Sequence, residues 1–176
     1  MSESNKSQKF GCRYCNLKTM DSKSKQFMRQ AIQLSLENIK NGGGPFGAVI
    51  VRNGQVIAQG TNRVTLLNDP TAHAEVIAIR KAAQVVGSFD LSDCEIYSSC
   101  EPCPMCLGAI YWARLRRIYY GNSKHDAAQI SFDDAFIYDE LELPLNERKV
   151  AAVQLLPDEA ILAFDAWSKS EDKIEY

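Results

Sequence analysis

Two short motifs in the middle of the chain constrain its fold more than any other feature. One reads His73-Ala74-Glu75 and the other reads Pro102-Cys103-Pro104-Met105-Cys106. Imidazole nitrogen and thiolate sulfur are ligands that zinc binds in a tetrahedral arrangement. Three protein ligands leave the fourth position open to water, as in catalytic rather than structural zinc sites. We therefore predict one zinc ion per chain, held by His73, Cys103 and Cys106, and a fold that brings the two motifs together.

Glu75 lies two residues beyond His73 and is not needed as a ligand. Zinc lowers the pKa of a bound water towards about 7, and a nearby carboxylate can then carry protons between that water and a substrate. Both motifs are predicted in the N-terminal turns of helices, where the partial positive charge favours thiolate over thiol. We predict that Glu75 is the catalytic proton carrier of the site.

Two other metal sites fit part of this pattern. Cys100 extends the spacing to C-x-x-C-x-x-C, so that three cysteines and His73 could form a closed structural zinc site. The same spacing begins an iron–sulfur motif, but such a motif needs a further cysteine and a proline where this chain has 109–111, Ala-Ile-Tyr. Neither alternative explains Glu75, and we interpret Cys100 as a strand-end residue outside the ligand set. A separate pair, Cys12 and Cys15, has no second ligand pair near it and is weak evidence for another metal site.

Apolar periodicity predicts the secondary structure around the motifs. Apolar residues recur at helical spacing between positions 27 and 39, which predicts a first helix. Arg52-Asn53-Gly54 between two apolar runs indicates a β-hairpin. Further strands are predicted at 94–99, 116–120 and 150–155, and further helices from residue 71 or 72 to 87, at 103–113 and at 158–169. This order predicts an α/β fold with three α-β-α layers around a mixed five-stranded sheet.

Length and composition are ordinary for one globular domain. The chain has 176 residues, of which 1–20 are polar and aperiodic, so we expect a flexible leader followed by a single domain at 21–176. The formal net charge of −2 gives no reason to expect a nucleic-acid partner. No apolar run approaches the roughly 18 residues of a membrane span. Cysteines used as metal ligands rather than as disulfides favour a cytoplasmic location.

Three stretches carry a resemblance to a known family. They are Pro45 to Ile50, Asp69 to Val76 and Cys100 to Ile110, and they include the H-x-E and P-C-x-x-C elements of zinc-dependent nucleobase deaminases. The chain resembles the cytidine deaminase-like superfamily from about residue 24 to its end. The segment 132–136, Phe-Asp-Asp-Ala-Phe, and the terminal Tyr176 are similar to the guanine deaminase branch, whereas the tRNA-adenosine branch usually carries a basic tail.

The resemblance implies a set of substrate-binding residues. Asn62 would hydrogen-bond the edge of a purine ring, Phe46 and Trp112 would form aromatic walls, and Ala74 would contact the base. Asp134 would contact the base and assist proton transfer to the leaving amine. Tyr176 would complete a site, and because the C-terminal segment of this family can pack over a neighbouring subunit, the resemblance also implies a homodimer.

The reaction implied by the resemblance is the hydrolytic deamination of guanine. Glu75 would take a proton from the zinc-activated water that attacks C2, and would pass it to the ring nitrogen and, with Asp134, to the amine, so that xanthine and ammonia leave. The zinc motif alone also fits guanosine, cytosine and tRNA-adenosine deaminases. A zinc-stabilised binding module without catalysis is the alternative from another class, and the intact Glu75 argues against it.

Overall fold

A mixed four-stranded sheet organises the protein. The computed structural model describes residues 22–175, so the predicted leader and the role expected of Tyr176 lie outside the described residues. The strands are β1 (Gly47–Arg52), β2 (Gln55–Thr61), β3 (Cys94–Cys100) and β4 (Arg117–Asn122), in the spatial order β2-β1-β3-β4. β1 runs antiparallel to both of its neighbours, and β3 runs parallel to β4. The predicted mixed character of the sheet therefore holds.

Helices cover both faces of this sheet. They are α1 (Ser22–Lys40), α2 (Val64–Leu67), α3 (Ala74–Val86), α4 (Pro104–Trp112), α5 (Lys124–Gln129), α6 (Ala135–Glu142) and α7 (Pro157–Lys169), with a 3₁₀ turn at Leu145–Glu147. Phe27 and Ala31 of α1 pack with Val49 and Tyr97 on one face. On the other face, the alanines of α3 and Ile110 of α4 pack against the sheet. The predicted three-layer α-β-α class is confirmed in these residues.

Backbone geometry at the hairpin and at one close approach follows directly from the sequence. Asn53 and Gly54 have φ values of 51° and 71°, as the predicted tight turn between β1 and β2 requires. A Cβ atom at Gly60 of β2 would collide with the carbonyl oxygen of Ala74. The glycine thus lets the start of α3 lie directly on β2, which fixes where His73 and Glu75 meet the sheet.

The prediction of a fifth strand at 150–155 is wrong for the chain described here. The sheet has four strands, and 150–155 is irregular and exposed, with Val150 81% and Leu155 77% accessible. The apolar residues that suggested a strand are present, but a strand also needs a neighbouring edge to satisfy its backbone hydrogen bonds. Within one chain, residues 150–155 do not lie on such an edge.

Within residues 22–175, no helix combines the length and the apolar character needed to cross a membrane.

Candidate metal centre and active site

The metal ligands predicted from the sequence stand at two helix starts. His73 is the residue before α3 and Cys103 is the residue before α4, and both have extended backbone angles. Neither side chain hydrogen-bonds its own helix start. Pro104 occupies the first turn of α4, where its missing N–H removes no helical bond. The imidazole and the thiol are therefore available to face each other across the gap between the two helices.

The three groups have the spacing that a zinc ion requires. The Nδ1 atom of His73 lies 3.6 Å from the Sγ atom of Cys103 and 3.5 Å from that of Cys106. Tetrahedral zinc with bonds of about 2.3 Å to sulfur and about 2.05 Å to nitrogen places such atoms about 3.6 Å apart. All three ligand atoms lie within 4.8 Å of one another. The residues present fit zinc without rearrangement.

The pKa values of the two thiols move in opposite directions. The hydrogen bond from Cys106, followed by that from the His73 ring, lowers the pKa of Cys103 to about 4. The nearby Cys103 and burial raise the pKa of Cys106. The hydrogen bond to Cys103 also raises the pKa of His73. Zinc binds cysteine as thiolate, so metal binding releases any protons that these thiols carry.

Cys100 is turned away from this group. Its Sγ atom contacts the carbonyl oxygen of Ser123 at 3.6 Å, and burial raises its pKa to about 11. The only set of His, Cys, Asp and Glu side chains in residues 22–175 that could hold a metal comprises His73, Cys103 and Cys106. This arrangement leaves one position of a tetrahedron free of protein ligands, in contrast to a closed four-ligand site.

Glu75 lies beside the ligands, almost completely buried. Its side chain is 5% exposed. One carboxylate oxygen, Oε1, accepts a hydrogen bond of 2.8 Å from Ser98, and the other, Oε2, accepts one of 3.4 Å from the Cys106 thiol. Burial raises the pKa of Glu75, whereas the bond from Ser98 opposes that rise. A raised pKa makes the carboxyl group of Glu75 a better proton acceptor than an exposed carboxylate.

A cavity of about 370 Å³ opens onto the metal ligands and Glu75. Six of the residues predicted for the site line it: Phe46, Asn62, His73, Glu75, Cys103 and Asp134. Its volume suits one small planar molecule, since small-molecule sites occupy roughly 300–1,000 Å³. The fold therefore gathers predicted metal, catalytic and substrate-binding residues around one opening.

Asn62 and Phe46 occupy one wall of the cavity and are tied together. The Asn62 N–H donates to the Phe46 carbonyl at 3.1 Å, and the Asn62 carboxamide oxygen accepts the Val64 N–H at 3.3 Å. Behind them, the Nδ2 atom of Asn38 donates to the carbonyls of Gly44 and Asn62, at 2.8 and 2.7 Å. Asn38 is 6% exposed, so α1 anchors this wall from inside the protein.

Beside Phe46 the cavity is lined by a second aromatic residue, for which sequence reasoning assigned no role. The Phe132 ring meets Phe46 edge to face, with centroids 4.9 Å apart and planes at 85°. The sequence signal was its position next to Asp133 and Asp134 in the segment that carried the family resemblance. Asp133 and Asp134 both line the cavity. Asp133 accepts the Ala135 N–H at the start of α6, whereas Asp134 makes no such cap. Burial, followed by the nearby Cys103, raises the pKa of Asp134.

Three predicted substrate residues do not line the cavity of the single chain. Ala74 is fully buried between α3 and β2. Trp112 lies at the end of α4 and is 68% exposed. Tyr176 is outside the described residues. The roles expected of these three residues stay predictions.

Comparison with protein families identifies the chain. Residues 21–122 match the model of the cytidine and deoxycytidylate deaminase zinc-binding region. The chain belongs to the cytidine and deoxycytidylate deaminase family. The matched region contains the His-Cys-Cys group, so the deaminase site described here is a zinc site with one ion per chain.

Individual deaminases of this family are similar over different shares of the chain. The chain is 52% identical to guanine deaminase of Bacillus subtilis (strain 168) over 151 residues, which are 85% of this chain and 97% of that protein. It is 51% identical to a tRNA-specific adenosine deaminase of Agrobacterium fabrum over 77 residues, which are 44% of this chain and 51% of that protein. The second likeness is confined to about half of each deaminase.

Solved structures of deaminases are similar to this chain in fold. The X-ray structure of Bacillus subtilis guanine deaminase superposes with a TM-score of 0.84 and covers 86% of this chain and 98% of its own. The structure of guanine deaminase from Nitrosomonas europaea is 34% identical, with a TM-score of 0.61 and coverage of 65% of each chain. The fold is therefore that of a cytidine deaminase-like enzyme.

Proposed function

We propose that this protein catalyses the zinc-dependent, hydrolytic deamination of guanine to xanthine and ammonia. The observation that carries the proposal is a buried carboxylate, Glu75, beside a three-ligand metal group that opens into a cavity sized for one base. The choice of guanine is supported by the extent of the similarity to Bacillus subtilis guanine deaminase, which spans nearly its whole length. We further propose that the reaction belongs to purine catabolism or salvage in the cytoplasm.

The protein's own groups supply proton transfer. Zinc in this ligand set supplies a water activated for nucleophilic attack at neutral pH. Glu75 accepts one proton of that water on the ligand side of its carboxylate and delivers it to the ring nitrogen of the base. The second proton of the water passes to the amine, which leaves as ammonia. Burial raises the pKa of Glu75, which favours its acceptance of the proton that it then delivers to the base.

The cavity walls hold the base. Phe46 contributes an aromatic surface, with Phe132 packed against it, and Asn62 contributes polar atoms at the edge of a planar ring. Asp134 lies on the side of the opening near Cys103, where it assists proton transfer to the leaving amine. The raised pKa of Asp134 suits this task, since a carboxylic acid must carry a proton in order to donate one.

We also propose that the protein is a homodimer whose C-terminal segment contributes to the neighbouring site. Support comes from apolar side chains exposed after residue 149, including Val150, Val153 and Phe164, of which Phe164 lies on α7. Tyr111 and Trp112 are likewise exposed on α4. Many large apolar side chains exposed in one part of a chain are typical of a surface that another molecule covers. In such a dimer Trp112 and Tyr176 would reach the substrate across subunits.

The test of the proposed function is ammonia release by the zinc-loaded full chain from guanine, guanosine, adenine, cytosine and cytidine. We expect guanine to have the highest kcat/KM of the five. The Phe-Asp-Asp element at 132–134 is shared with guanosine deaminases, so guanosine is the most informative competitor. A preference for guanosine would correct the substrate, and no ammonia from any of the five would contradict the function.

A further inference from the structure

β3 carries a hydroxyl where its neighbours on the same face are apolar or sulfur-containing. Cys94, Ile96, Ser98 and Cys100 alternate along the face of β3 that meets α3 and α4. Ser98 is 0% exposed. A buried hydroxyl is unfavourable unless it is hydrogen-bonded, so its position in this core has to be explained by its partner.

The partner of Ser98 is the carboxylate of Glu75. The Oγ atom donates to Oε1 over 2.8 Å, and the bond is fully buried. It links the central part of the sheet to the first turn of α3, and hydrogen bonds to carboxylates are stronger than those between neutral groups. β3 is paired on both sides at this point, through Ala48 of β1 and Tyr120 of β4. The donor is therefore attached to one of the most rigid parts of the molecule.

The two oxygens of Glu75 thereby have different surroundings. Oε1 is turned to β3, whereas Oε2 lies 3.4 Å from the Sγ atom of the metal ligand Cys106. A half-turn about the last torsion only exchanges two chemically equivalent oxygens, but that torsion is broad, and a smaller rotation would turn the carboxylate plane away from both partners. A fixed donor on one oxygen opposes this rotation.

We propose that Ser98 is a positioning residue, whose hydroxyl fixes the plane of the Glu75 carboxylate so that its other oxygen faces the metal ligands and the reacting groups. Ser98 acts only through Glu75, since it does not line the cavity. The inference rests on the proposed role of Glu75 in proton transfer. Ser98 itself lies outside the H-x-E and P-C-x-x-C motifs.

The test compares two adjacent serines in the zinc-loaded full chain. Ser98→Ala removes the donor to Glu75. Ser99→Ala is the matched control, because Ser99 is also buried but faces α1, where its Oγ accepts the Gly47 N–H at 3.0 Å. Both variants lose one buried hydrogen bond, so we expect similar decreases in melting temperature. Ser98→Thr restores the hydroxyl and tests rescue.

We expect Ser98→Ala to lower kcat at least about tenfold while KM changes by less than about threefold, because misplacing a catalytic group mainly slows the chemical step. Ser99→Ala should keep kcat within about threefold of wild type, and Ser98→Thr should recover most of the loss. Zinc should stay at one per chain in all variants, and a crystal structure of Ser98→Ala should show the Glu75 carboxylate rotated.

Several results would overturn the inference. They are an unchanged kcat in Ser98→Ala, an equal loss in Ser99→Ala, a change confined to KM, loss of zinc from Ser98→Ala alone, or an unmoved carboxylate in its crystal structure. If the added methyl group prevents Ser98→Thr from folding, the comparison of kcat between Ser98→Ala and Ser99→Ala tests the inference. All kinetics use the substrate that the wild-type enzyme turns over fastest, so an error about guanine is seen in the wild type and does not affect this comparison.

Discussion

At the scale of single residues, the site depends on side chains that lie at helix starts but do not cap the helices. His73 and Cys103 stand at helix starts without capping them, and Asp134 leaves the capping of α6 to Asp133. Glu75 is buried with donors on both oxygens. Side chains at helix starts normally cap the helix. Here the side chains of His73 and Cys103 instead face each other, and a buried carboxylate lies beside them. This arrangement indicates a site built for a bound ion and a reacting molecule.

Zinc content distinguishes the open site from a closed one. Cys106→Ser removes a ligand, so we expect zinc measured by atomic absorption to fall well below one per chain. Cys100→Ser is the matched control, since the Cys100 thiol points to the Ser123 carbonyl rather than to the ligands. We expect it to retain one zinc per chain. Loss of zinc from Cys100→Ser would indicate a fourth protein ligand, a third sulfur, and hence a structural site.

The metal ligands could be predicted from the sequence, because the H-x-E and P-C-x-x-C motifs together leave few other interpretations. Sequence reasoning located the substrate residues less completely. Phe132 and Ser98 had no assigned role, because a phenylalanine in an irregular segment and a serine in a strand have many ordinary explanations. Their partners, Phe46 and Glu75, become visible only when distant parts of the chain are placed together.

At the scale of elements, the metal site is the meeting point of two helix starts and one strand end. α3 begins at Ala74, two or three residues later than predicted, which makes His73 the residue before the helix instead of part of its first turn. The short helix α2 was not predicted, because four residues are too few to show a helical period. The hairpin at Asn53-Gly54 was predicted correctly, since its turn type depends on those two residues alone.

The connection between α1 and the substrate wall yields a prediction. Asn38→Ala removes both donors to the Gly44 and Asn62 carbonyls and leaves those buried acceptors unsatisfied. We expect a loss of about 1–3 kcal/mol in the free energy of unfolding, measured by denaturant titration. Because the wall holds Asn62 and Phe46, KM should rise more than kcat falls.

Asn41→Ala is the control for that change, because Asn41 is exposed at the end of the same helix. We expect little effect on stability or KM from it. An Asn38→Ala variant that loses stability but keeps the wild-type KM would show that Asn38 supports the fold without shaping the substrate wall.

At the scale of the whole molecule, the described part of the chain after residue 149 does not pack into a hydrophobic core. The run 150–155 has the composition of a strand, yet it is exposed, and α7 buries none of its residues. Sequence patterns report which residues need burial but do not say whether the covering surface belongs to the same chain. The run that was wrongly predicted as a strand is therefore also part of the surface that the proposed dimer would cover.

Solution association tests this account of the C-terminal part. We expect the full chain to sediment as a dimer and Val153→Asp to weaken the dimer by at least about tenfold, because it places a charge in an apolar contact. Val85→Asp on α3 is the matched control, since Val85 is 65% exposed and Val153 is 77% exposed in the single chain. A fully active monomer, or equal weakening by both variants, would contradict the proposed interface.

The central claim is that Glu75 carries protons at an open zinc site. It is tested most directly by the kcat of Glu75→Gln for guanine, measured at matched zinc content. The amide keeps the size of the side chain but cannot exchange a proton, so we predict that turnover falls at least about a thousandfold while zinc stays at one per chain. Turnover within about tenfold of wild type at full zinc content would contradict the account.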